Sequence, residues 1–151
     1  MKKKLLAVAL GAGIGLGYSM YVAAQAKPDV LVKQRQAAMT LQGKYLGPIG
    51  AMLKGAAPYN ADVVARNATY LEALSQMPWD GFTPETQSEK TKAKPELFKD
   101  GPKVQQMISD FQAATARLGA AARAKDEAGV RAAFGAVAKG CGGCHDAYRE
   151  K

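Results

Sequence analysis

Apolar side chains recur at alternating spacings of three and four residues along four stretches of this chain, the signature of one-sided helices. The first stripe runs through Val32, Arg35, Met39, Gln42, Leu46, Ile49 and Leu53. Asp29, after Pro28, is its expected N-cap, and the helix is expected to reach about Lys54. Arg35 and Gln42 interrupt the stripe, and a polar group on a core-facing stripe needs a partner. Pro48 lacks a backbone donor and is expected to kink this helix. A second helix is expected from Ala61 to about Gln76. Asn60 caps it, Val64, Asn67, Leu71 and Leu74 lie on one face, and Pro78 stops it. Gly101-Pro102 opens a third helix, with Pro at a first-turn position. Val104, Ile108, Phe111, Thr115, Leu118 and Ala122 share its face. A fourth starts at Asp126 or Glu127 and carries Val130, Phe134, Val137, Cys141, Cys144 and Tyr148 at the same spacing.

Between the second and third helices, residues 77–99 read as a long polar loop with Trp79, Phe82 and Pro84, then the charged run Glu89-Lys90-Thr91-Lys92. Pro95 precedes a short turn at Glu96-Leu97-Phe98. A loop of this length in a small domain usually serves function or wraps something, and its two aromatics are expected to pack beneath it. No stretch alternates with period two and no internal repeat is present. The pattern predicts an all-α protein, an antiparallel four-helix bundle with a cofactor in its core.

The N-terminus changes the domain picture. Met1-Lys2-Lys3-Lys4 precedes an uncharged run from Leu5 to Gly17, and small residues follow to Val22-Ala23-Ala24-Gln25-Ala26. A basic start, an apolar centre and a small-residue end make residues 1–24 a signal peptide, with cleavage expected after Ala24 or Ala26. Residues 25–151 are then an exported domain, placed in the periplasm and free of the membrane, with enough chain for a real core. The full chain carries a formal charge of +8, which falls to +5 without the three leading lysines. The excess is spread along the chain, and no basic stripe argues for nucleic acid.

The chemistry is concentrated in Cys141-Gly142-Gly143-Cys144-His145. The chain has two cysteines and one histidine, and all three are in this pentapeptide. Cys-x-x-Cys-His is the attachment site of a c-type haem. Each thiol forms a thioether to the porphyrin, and the adjacent imidazole is the proximal iron ligand. A thioredoxin-like redox pair would follow a strand, and none is predicted. A structural zinc site wants four ligands where three adjacent ones are offered. A disulfide here would close too small a loop to stabilise much. One covalent haem c is therefore the expected cofactor. Gly140, Gly142 and Gly143 are expected to keep the helix surface flat where the porphyrin lies.

With these residues in place, the chain resembles cytochrome c′ and its relatives, the class II c-type cytochromes. Arg35-Gln36 with Met39, Lys54-Gly55 through Pro58-Tyr59, and Met77-Pro78-Trp79 with Phe82 carry the resemblance. Lys94-Pro95-Glu96 and Cys141 through Arg149 complete it. It covers the whole chain after the signal and implies a four-helix bundle with haem near the C-terminus. It also assigns Arg35 and Gln36 to the haem propionates, which answers the problem of a guanidinium on a core stripe. Phe82 matches an aromatic near the distal face. Arg149, one turn beyond His145, borders the proximal pocket. Glu89 and Thr91 fall in the loop that closes over the haem edge.

The sixth coordination position decides function. With a single histidine, two-histidine ligation is excluded. In cytochrome c′ the residue matching Met39 covers the iron without binding it, and the iron is five-coordinate and high-spin. In low-spin relatives of the c-556 type, a Met there is the sixth ligand. The resemblance favours high-spin iron that binds NO and CO, with some electron-transfer capacity. The alternative is an electron carrier ligated by His145 and Met39. A thiol redox or metal-binding protein using Cys141 and Cys144 is a remote third. No Ser/His/Asp set and no suggestive carboxylate pair indicates an enzyme. The resemblance also implies a homodimer through the first two helices, with Leu41, Tyr45 and Met52 on the exposed face. It names no redox partner.

Overall fold

A computed structural model describes residues 26–151. The expected signal peptide and both cleavage positions, apart from Ala26 itself, lie outside the described residues. Four α-helices form the frame: α1 Pro28–Leu53, α2 Ala61–Leu74, α3 Gly101–Arg123 and α4 Glu127–Tyr148. α1 packs on α2, α2 on α3, and α3 most extensively on α4. The short α1–α2 and α3–α4 connections make those neighbours antiparallel.

Lys27, not Asp29, is the N-cap of α1, and the helix begins at Pro28. Proline at the first position has no amide proton to leave unpaired. Asp29 sits inside the first turn, where its carboxylate accepts from Lys33 at 2.9 Å. α1 continues through Pro48 to Leu53 without interruption. Asn60 caps α2 as expected, its side-chain oxygen accepting from the amides of Asp62 and Val63. α2 stops at Leu74, short of Gln76. The Ser75 hydroxyl donates to the Glu72 carbonyl at 2.7 Å, competing with helix continuation.

The connection between α2 and α3 holds three short 3₁₀ turns, Trp79–Gly81, Pro84–Thr86 and Pro95–Phe98. The latter two start on a proline, whose fixed φ suits a first helical position. Carbonyls at the end of α2 accept from side chains outside the helix. Gln42 donates to the Leu74 carbonyl at 2.9 Å, and the Trp79 indole to the Ser75 carbonyl at 2.6 Å. Gln42 thereby gains the partner its place on the apolar stripe demanded.

The core draws on all four helices. Ile49, Val64, Leu71, Phe111, Leu118, Val130 and Val137 are its buried members. α1 and α4 approach closely at Gly50, where an added Cβ would lie 2.8 Å from the Phe134 ring. Gly50→Leu is therefore expected to destabilise the protein by about 1–3 kcal/mol through overpacking, measured by urea unfolding of the haem-loaded protein.

Candidate functional site

Beside the core a two-lobed hollow opens between the helices. Its walls are the first half of α1, the start of α3, the end of α4 and the α2–α3 connection. The apolar faces of α3 and α4 continue into it. Val104, Ile108, Cys141 and Cys144, expected on core stripes, are only partly buried and line the hollow.

Cys141, Cys144 and His145 all lie within α4. Spacings of three and four residues put them on one helix face, and all three border the same cavity. Burial raises both thiol pKa values, with Cys144 adding to the rise at Cys141. The His145 pKa is lowered by burial first and Arg149 second, with Asp146 opposing. The imidazole is thus biased toward the neutral form, which a metal ligand requires. At Gly140 space is also limited by the helix packing: a Cβ there would lie 3.3 Å from the Phe111 ring of α3. Gly142 has open space, and Gly143 meets nothing closer than Met107 at 3.8 Å. Gly140 also lines the inner part of the cavity, and the protein's own packing demands glycine at neither of the other two.

The hollow has two lobes that share Met39, Phe82, Leu97, Cys144 and His145. The inner lobe, about 200 Å³, is walled chiefly by apolar side chains such as Leu46, Leu71, Met107 and Phe111. The outer lobe, about 520 Å³, opens toward solvent and carries the polar groups Arg35, Gln36, Thr91, Lys92 and Arg149. Met39 and His145 both reach the two lobes, from α1 and α4 respectively.

Arg35 is 3% exposed. Its Nη1 donates to the Gly81 carbonyl and to Thr86 Oγ1, and its Nη2 to Thr91 Oγ1 at 2.7 Å. The guanidinium lies over the Phe82 ring, 4.5 Å from its centroid, a cation–π contact. Phe82 in turn stacks on Trp79, whose ring meets Phe111 edge-on. Burial lowers the Arg35 pKa, but a guanidinium stays charged in proteins. Among the described residues no carboxylate pairs with it. The guanidinium is thus a buried cation held on neutral acceptors at the border of the cavity, with N–H donors left over for an acceptor placed there.

The structure brings most of the expected site residues together. Met39, Phe82, Thr91, Arg149, Arg35 and the exposed Gln36 all line the outer lobe with His145. Glu89, half-buried, does not line either lobe. Thr86 went unrecognised in the sequence, as did the pairing of the loop with the end of α4. That pairing is an isolated antiparallel bridge between Ala93 and Arg149. The Lys94 amide donates to the Tyr148 carbonyl and the Glu150 amide to that of Lys92. Tyr148 also reaches Asp100 at the start of α3, at 2.9 Å. The bridge holds Lys92 and Ala93 at the outer lobe beside His145 and Arg149.

Residues 30–149 match the model of the family described as Cytochrome C′. The chain belongs to the cytochrome c′ family. Cytochrome c′ of Alcaligenes xylosoxydans xylosoxydans is 43% identical over 126 residues, covering 83% of this chain and 98% of that protein. Cytochrome c-556 of Agrobacterium tumefaciens is 30% identical over 126 residues, covering 80% of this chain and 97% of that one. The crystal structure of cytochrome c′ from Rubrivivax gelatinosus aligns with a TM-score of 0.79 at 36% identity, over 82% of this chain and 98% of that one. A nitric oxide complex of a cytochrome c prime variant from Alcaligenes xylosoxidans aligns at 0.77 and 43% identity, over 83% of this chain and 98% of that one.

Members of the cytochrome c′ family carry one covalent haem c, and this chain is a c-type haem cytochrome of the four-helix-bundle class. The hollow suits that group on its own chemistry. Two thiols and an imidazole share one helix face, an apolar lobe is available for a flat hydrophobic ring, and a buried cation borders the polar lobe. The thiol-redox reading finds no support. Reactive cysteines have depressed pKa values, and these are raised. Among the described residues, no three of His, Cys, Asp and Glu are arranged to hold a metal ion without a porphyrin.

Proposed function

We propose that this cytochrome is an exported haem protein whose iron is five-coordinate and high-spin and binds small uncharged gases. In this reading Cys141 and Cys144 tether the haem, and His145 ligates the iron. Arg35 and Gln36 bind the propionates, with Thr91 and Arg149 at the same edge. Met39 and Phe82 cover the opposite face. Haem supplies the redox and ligand-binding chemistry. The chain supplies tether, ligand, counter-charge and exclusion of water.

The inner lobe carries this reading. Apart from the thiols and imidazole that would hold the haem, the donor side chains on its wall are Gln42 and Trp79; the Trp79 indole N–H and one of the two Gln42 amide protons are already given to carbonyls at the end of α2. Bound O₂ wants a donor, whereas NO and CO do not. The nitric oxide complex of the Alcaligenes relative supports the same ligand class. Residues 1–24 would direct export to the periplasm, and among the described residues no helix is long and apolar enough to cross a membrane.

A homodimer through α1 and α2 belongs to the same proposal. The residues expected on its face are not all exposed. Met52 packs against the core, whereas Leu41 is exposed and Tyr45 pairs with the exposed Tyr70 of α2, ring centroids 5.0 Å apart. The role is binding and electron transfer rather than catalysis.

One alternative has an observation behind it. Met39 borders both lobes alongside His145, and the c-556 relative carries a name of the low-spin group. The optical spectrum of the reduced protein with and without CO separates the readings. High-spin iron gives a broad Soret band that shifts with CO. Met39→Leu is expected to leave that spectrum unchanged. A sharp low-spin band that becomes high-spin in Met39→Leu would make the protein a His/Met electron carrier instead.

A further inference from the structure

Thr86 is wholly buried and far from the thiols and imidazole in sequence. Its hydroxyl accepts from Arg35 Nη1 at 3.1 Å. Its own proton is directed at the carbonyls of Thr83, 2.8 Å away, and Gly81, 3.1 Å away. Arg35 Nη1 donates to the same Gly81 carbonyl. Arg35, Gly81 and Thr86 thus close a hydrogen-bonded triangle. Gly81 permits it, since a Cβ there would fall 2.9 Å from both the Arg35 Cβ and the Leu31 carbonyl.

A guanidinium has five N–H donors in a fixed fork. The triangle takes both protons of Nη1, and Thr91 takes one of Nη2. The Phe82 ring fixes the plane. Two donors are left for the outer lobe that Arg35 lines. Hence the neutral loop contacts decide which edge of the fork faces the cavity.

We infer that Thr86 is a positioning residue: it orients the Arg35 guanidinium toward the carboxylate edge of the haem, and through that fixed cation it biases the iron toward the reduced state. This rests on the propionate role proposed for Arg35. A positive charge held in a partly desolvated site acts strongly on nearby charge, and ferric haem carries one more positive charge than ferrous. Loosening the cation therefore favours the ferric form.

The test is spectroelectrochemistry on haem-loaded full-length protein, comparing the parent with Thr86→Val, Thr86→Ser and Arg35→Gln. Arginine side-chain NMR and urea unfolding accompany it. Thr86→Val is expected to retain covalent haem and the parent spin state. It should shift the ferric-to-ferrous equilibrium at least threefold toward ferric, about 28 mV for a one-electron couple. The Arg35 Nη protons should be slowly exchanging in the parent and averaged in Thr86→Val. Thr86→Ser keeps the hydroxyl and should restore both readouts. In the Arg35→Gln background, Thr86→Val should add nothing to the potential.

Lower stability with an unchanged potential would reduce Thr86 to a loop-packing residue and overturn the inference. An equal shift in Thr86→Ser, or a full further shift on top of Arg35→Gln, would overturn it too. Failure of the underlying reading appears separately: the parent would lack covalent haem, or Arg35→Gln itself would leave the potential unmoved.

Discussion

A chain carrying Cys141→Ala and Cys144→Ala is expected to lose all haem on extraction with acidified organic solvent, where the parent keeps all of it. The parent's haem should stay with the protein because thioether bonds survive denaturation, while the His145 bond to iron does not survive acid. The variant should also melt lower, by on the order of 10 °C. The reason is the hollow beside the core. Lobes of about 520 and 200 Å³ open there between the helices. Val104, Ile108, Met107 and Leu46 have their apolar faces turned into that space. A tethered haem covers them in the folded state, and a weakly held or absent one leaves them to water. Single variants should each retain one thioether and extract no haem. Complete retention in the double variant would mean that something other than these two sulfurs holds the cofactor.

Periodicity in the sequence locates all four helices and the core, because a stripe at helical spacing reports one protected face. It cannot say what protects that face. Val104, Ile108 and Cys141 follow the same spacing as Leu118 and Val137, yet the first three line a cavity and the last two are wholly buried. Cys-Gly-Gly-Cys-His is legible because its chemistry is local: all its atoms lie within about one helical turn. The partners of Arg35 and Gln42 are not legible. Both residues stand out as polar interruptions of a stripe, but their acceptors lie 32 to 56 positions away. Two of those acceptors are backbone carbonyls, which every residue has. Thr86 gives no signal at all, since a buried hydroxyl and an exposed one read alike in a polar loop. The same holds for the bridge between Ala93 and Arg149, a backbone contact that carries no side-chain signature.

Arg35→Leu is expected to cost about 2–4 kcal/mol in the haem-loaded protein, because under the proposed propionate role it would leave a carboxylate without its charged donor. The same substitution in the Cys141→Ala, Cys144→Ala chain, purified free of haem, should cost far less and could stabilise it. There the guanidinium is a buried charge on neutral acceptors alone: Gly81, Thr86 and Thr91, with Phe82 beneath. Replacing such a charge with an apolar side chain relieves its desolvation. Thr86 can still donate to the Gly81 carbonyl afterwards, and Thr91 still accepts from the Ala93 amide. The loop therefore keeps part of its bonding without Arg35. Urea unfolding of the four chains completes a double-mutant cycle whose coupling term isolates what the cofactor adds. A coupling of about 2 kcal/mol or more makes Arg35 the cofactor's counter-charge. An equal cost in both backgrounds means that the guanidinium serves the 79–91 loop alone, and the carboxylates of the haem find their partner elsewhere.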